Sequence, residues 1–147
     1  MEHRKFGGVV YLRVDKGEEI IASVLAACRA EGVQSAVFSG IGGCADAELQ
    51  TFLPATGEFV TERVEGMLEL IAISGNVVLG EGGKLYHHTH ALFSCKEGEQ
   101  HRVAAGHLKS STVLYTAEIE LRPVVGGTIR RRHDPETNTG FWDFAGA

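Results

Sequence analysis

Five of the seven histidines fall between positions 87 and 107: His87, His88, His90, His101 and His107. On an extended strand, alternate residues share a face and each residue rises about 3.3 Å. His88 and His90 therefore project side by side, while His87 points to the opposite face. Two imidazoles so placed can converge on one divalent ion with metal–nitrogen distances near 2.0–2.1 Å. A third ligand from a neighbouring strand would complete a three-histidine site with its fourth position open to water or substrate, and Gly106-His107 sits where an adjacent antiparallel strand can supply it. Such a donor set suits zinc, and also other transition metals that favour imidazole, such as nickel or iron.

Other residues carry weaker chemistry. Glu48, Glu69 and Glu118 lie on expected strands, and a carboxylate beside a metal can act as base or as hydrogen-bond partner to a ligating histidine. Glu69 ranks first, because it sits amid Met67, Leu68, Leu70 and Ile71, where burial of an unpaired carboxylate is costly. Glu69 and Glu118 are thus the catalytic candidates. Gly40-Ile41-Gly42-Gly43 reads as a tight turn; a strand follows it, so the helix that a dinucleotide-binding loop requires is missing. Arg130-Arg131-Arg132 reads as a solvated edge, and Phe141, Trp142 and Phe144 as packing or subunit-contact residues. Cys28, Cys44 and Cys95 form no CxxC pair and read as small buried thiols.

Near the start of the chain, the β-branched run Gly7 to Val14 predicts a strand. A single helix follows, with Asp15 and Glu18 at capping-box spacing, an apolar stripe through Ile20, Ile21, Val24, Leu25 and Cys28, and a stop at Gly32. Strands are then expected over 33–39, 45–53, 58–64, 68–79, 84–95, 102–108 and 112–121, and the tail from Arg122 to Ala147 is less regular. The pattern predicts an α+β domain spanning 1–147, with a mainly antiparallel, twisted sheet of seven or eight strands and one main helix packed on it.

The 147 residues suit one domain, and 44% hydrophobic with 22% charged residues is the balance of a folded protein. A net charge of -5 disfavours direct DNA binding, which draws on neutralised phosphates. No run approaches the roughly 20 apolar residues of a membrane helix, and no signal-peptide core follows Met1, so a cytoplasmic location away from membranes is expected.

Several motifs follow one another along the chain: Asp15-Lys16-Gly17-Glu18, Ser39-Gly40-Ile41-Gly42, Glu69 with Ser74-Gly75-Asn76, His88-Thr89-His90, Gly106-His107-Leu108 and Tyr115-Thr116-Ala117-Glu118. In this order they resemble the plants-and-prokaryotes-conserved (PPC) domain family, whose bacterial single-domain members are often labelled as DNA-binding. Two departures stand out: Ala105 replaces the first glycine of the usual Gly-Gly-His-Leu, and His87 is an extra histidine beside the set. The resemblance implies a twisted antiparallel sheet packed on a helix, a homotrimer, and a metal position, generally zinc, built from His88, His90 and His107. Plant members add Arg-Gly-Arg-Pro segments that contact DNA, and the chain contains none. Two functions follow as expectations. One is a metal-binding homotrimer with a binding or regulatory role, including the DNA-associated role attached to the family, with a small molecule as a further candidate ligand. The other is a zinc-dependent lyase or hydrolase acting on a small keto or hydroxy acid or an ester, by analogy with acetolactate decarboxylases, whose fold is similar to this family's and which also hold zinc with three histidines.

Overall fold

The computed structural model describes residues 1–137 and 139–145. Its order is β1 (Glu2–Phe6), β2 (Val9–Asp15), α1 (Ile20–Ala30), β3 (Ala36–Leu53), β4 (Glu58–Leu79), β5 (Leu85–Glu97), β6 (Gln100–Ser110), β7 (Val113–Pro123), β8 (Arg130–Asp134) and β9 (Thr139–Asp143). In β2, Val10, Leu12 and Val14 are buried while Tyr11 and Arg13 face out, the period-two pattern of a half-covered strand.

The helix begins later than the Asp15–Glu18 pair suggests. Its N-cap is Glu19, whose carboxylate accepts hydrogen bonds from the Ile21 and Ala22 amides, while the Glu18 carboxylate accepts from the Asp15 amide at 2.8 Å. One Glu19 oxygen also accepts from the Ser111 amide at 3.2 Å, tying the start of α1 to the β6–β7 corner. Gly32 ends the helix at φ +65°, and the Val33 amide reaches back to the Cys28 carbonyl at 2.8 Å.

Nine strands form the sheet, more than the seven or eight expected, and their arrangement is mixed. The difference has two sources. Expected strands 33–39 and 45–53 fuse into β3, and 58–64 and 68–79 fuse into β4, because the glycine-rich stretches bend the strands through register shifts without ending them. Gly40-Ile41-Gly42-Gly43, read as a tight turn, is strand. β1, β8 and β9 add to the count, and β4 runs parallel to β8 at Leu79 and Arg130, the one parallel pairing among the described residues.

β3 is the seam of the fold. It pairs with β4 along almost all its length, with β7 through Ala36–Cys44, and with β6 through Glu48–Gln50. Since β5 joins β4 to β6, the sheet closes on itself around Leu68, Leu70, Phe93 and Leu108, and α1 rests against β2, β5 and β6. Among the described residues no helix is long and apolar enough to cross a membrane. Cys28 and Cys44 are buried, whereas Cys95 is only partly so, and all three are free thiols; burial pushes Cys28 up to about 11.

β3 and β7 approach so closely that Gly42 has no room for a side chain: a Cβ there would lie 2.7 Å from the Thr116 carbonyl oxygen and 2.8 Å from Ala117 Cα. Backbone, unlike a flexible side chain, cannot swing away. Gly42→Ala is expected to lower stability by about 1–3 kcal/mol, read as an earlier midpoint in urea unfolding. An unchanged midpoint would contradict this account of the β3–β7 contact.

Candidate metal centre

β5 places Thr89 in the interior, fully buried, which turns His88 and His90 to the outer face. In the β5–β6 register His90 lies directly opposite His107. Gly106 is small for a reason, since a Cβ there would sit 3.1 Å from the Gln50 carbonyl oxygen of β3. The close approach of β3 to β6 thus holds His107 beside its partners.

The ligand nitrogens of His88, His90 and His107 lie within 4.8 Å of one another. Their ring centroids are separated by 4.9 Å for His88–His107 and by 5.3 Å for each of the other two pairs. Small imidazole rotations would bring such a set onto one ion with bonds near 2.0–2.1 Å. Their protonation is also suitable. Burial, reinforced by His88, His90 and His87, lowers His107 to about 4, and burial followed by His90 and Arg131 lowers His88. His88 and His107 are therefore neutral near pH 7, with lone pairs free for a metal.

His87 is outside the triad but lines the cleft beside it with His88 and His107, its Nδ1 3.1 Å from the Thr89 hydroxyl, whereas His101 reaches Ser94 at 3.4 Å near the β5–β6 turn. The carboxylate candidates are not at the triad either. Glu69 and Glu118 share a separate cleft with Thr116 and Tyr115, and Glu69 is exposed, because the pleat sends Leu68 and Leu70 inward and Glu69 out. Glu48 is held by Lys109 at 2.9 Å and Arg63 at 3.5 Å; the hydrogen bond and charge of Lys109 lower its carboxyl below the usual range.

Asn76, read only as part of a motif, Trp142, read as a packing or subunit-contact residue, and Arg131, read as part of a solvated edge, line the clefts around the triad. The last two come from the β8–β9 hairpin, whose signal is Asp134-Pro135-Glu136-Thr137. Asp134 accepts from the Thr137 amide at 3.1 Å and its hydroxyl at 2.6 Å, a side-chain-stapled turn.

The family model of the Plants and Prokaryotes Conserved (PCC) domain matches residues 1–125. The chain belongs to this family. No curated protein matches it. Among solved structures, this PCC domain is similar to a "putative DNA binding protein" from Bacteroides thetaiotaomicron, at TM-score 0.88 and 22% identity, covering 98% of this chain and 97% of the other. At that identity the likeness is one of fold. It is also similar to a metal-containing protein of Archaeoglobus fulgidus (TM-score 0.83, 27% identity, 95% of each chain). A third similar structure is a plant- and prokaryote-conserved protein of Pyrococcus horikoshii (TM-score 0.82, 29% identity, 97% of this chain and 93% of the other).

The lowered His107 predicts a pH dependence for metal-free protein. Its pKa is about 4 when folded and about 6.5 when unfolded, so the unfolded chain takes up the proton first as pH falls. Stability should therefore be fully present above about pH 6.5, fall between there and about 4, and level off below. In chelator-treated protein, Tm should drop from pH 7.5 to 5, and His107→Gln should lose less over the same interval; equal losses would contradict the assignment.

Proposed function

We propose that this PCC domain is a divalent-metal protein, zinc the favoured ion, held by His88, His90 and His107, and that it binds a small-molecule ligand at the open coordination position as a homotrimer with a binding or regulatory role. The convergence of the three histidines on one exposed sheet face, beside clefts, carries this reading. Three protein ligands leave a fourth position, the pattern of a reactive or ligand-exchanging centre, whereas structural sites are closed by four. The description of the Archaeoglobus fulgidus relative as metal-containing supports it.

Two alternatives are weaker. Similar structures bear a DNA-binding description, but the net charge is -5 and the pleat of β8 turns Arg131 away from Arg130 and Arg132, which divides the one dense basic run. A zinc-dependent lyase or hydrolase is the second. A bound zinc would supply a water acidified to a pKa near 7 or polarise a carbonyl. In that reading Glu69 and Glu118 are the acid–base candidates, and their position in a separate cleft favours ligand binding over turnover.

Metal analysis tests the centre. The wild type is expected to hold about one zinc per chain, His88→Ala with His107→Ala to lose it, and His87→Ala with His101→Ala to keep it; the reverse pattern would overturn the ligand assignment.

Self-association has its own support. Phe6, Tyr11, Ile41 and Ile71 border an open cleft of about 920 Å³ on the outer face of β1, β2, β3 and β4, with Ile41 58% and Ile71 50% exposed in the single chain. Light scattering is expected to read three chain masses for the wild type and one for Ile41→Glu with Ile71→Glu. A wild-type monomer at micromolar concentration would rule the trimer out.

A further inference from the structure

Two clefts flank the triad, and Asn76 and Trp142 line both. The indole N–H donates to the Asn76 side-chain oxygen at 3.3 Å, and Asn76 is the cross-strand neighbour of His88, so the hairpin is tied to the histidine strand through this pair. The clefts differ in charge. In the first, Arg122 donates to both Glu120 oxygens at 3.0 and 3.2 Å, and Ser39 donates to the same carboxylate at 3.3 Å, so these charges neutralise each other.

The second cleft has a volume of about 650 Å³ and no carboxylate among its described lining residues. Its charged group is Arg131. The guanidinium carbon lies 5.0 Å from the centroid of the Tyr86 ring, and the group rests against Gly140, where a methyl would overlap it. Three partly exposed rings, Phe59, Phe141 and Trp142, form apolar walls. With a divalent ion on neutral imidazoles, this cleft concentrates positive charge beside flat apolar surface on a chain that is otherwise acidic.

We infer that the second cleft binds a small carboxylate with a flat apolar body, its negative charge met by the metal and Arg131 together and its body by the aromatic walls. This rests on the metal reading above and adds the ligand's chemical class. Arg131 is a specificity residue here, since a guanidinium pairs with a carboxylate through charge-assisted hydrogen bonds that an amide cannot match. Gly140 positions it. β8 and β9, which carry both, lie beyond the residues matched by the family model.

Calorimetric titration of zinc-loaded protein with benzoate tests this, with benzamide as the neutral probe of the same shape and zinc content measured on every sample first. Benzoate should bind the wild type, benzamide should not, and Arg131→Gln should weaken benzoate about ten-fold or more with zinc retained. Gly140→Ala keeps the charge but displaces the guanidinium, and should weaken benzoate in the same direction. Zinc-loaded wild type that ignores benzoate, binds benzamide equally well, or binds as tightly in Arg131→Gln would overturn the inference while leaving the metal centre standing. Wild type that holds no zinc would sink the metal reading, and this inference with it.

Discussion

The antiparallel register between β5 and β6 is the constraint on which the site depends. His90 and His107 face each other across that pairing, and side chains alternate faces with a period of two. A slip of one residue would turn His107 into the core and bring Leu108, which is fully buried, to the surface. Burial of Phe93, Ala104 and Leu108 therefore opposes the slip and holds the imidazoles on the outer face. The turn between the strands agrees with this register, since Gly98 takes φ +62° where a side chain would be strained. Gly106 then lets β3 approach β6 at the level of His107, so the closure of the sheet and the placement of the third histidine share one contact.

Charge is distributed to match. The chain is acidic as a whole, yet its carboxylate candidates Glu69 and Glu118 are gathered in one cleft while the triad opens onto another. Histidines lowered by burial and mutual repulsion are poor proton carriers and good metal ligands near neutral pH. Glu120 and Arg122 cancel each other on one side of Trp142, which leaves Arg131 as the charged side chain on the other. The proposed metal centre and the inferred anion site would both draw on this one arrangement.

Much of this was legible in the sequence because it depends on short-range periodicity. The spacing of His88 and His90 determines a shared face, and the apolar stripe from Ile20 to Cys28 determines the helix. Other features depend on partners far along the chain. Nothing local distinguishes a glycine that ends a strand from one that bends it, so Gly40 to Gly43 read as a turn although β7 holds it as strand. Glu69 read as buried among apolar neighbours, but alternation sends it to the surface. Arg131 and Trp142 became site residues only through a pairing of β4 with β8 that brings the tail beside β5, a contact between residues about fifty positions apart.

Whether three imidazoles from two neighbouring strands hold one divalent ion is decided by diffraction from crystals of protein purified without an affinity tag, recorded on both sides of the zinc absorption edge. One anomalous peak per chain is expected, appearing above the edge, about 2.0–2.1 Å from one nitrogen each of His88, His90 and His107. A map with no anomalous density between these residues, or with the ion held by other side chains, would contradict it.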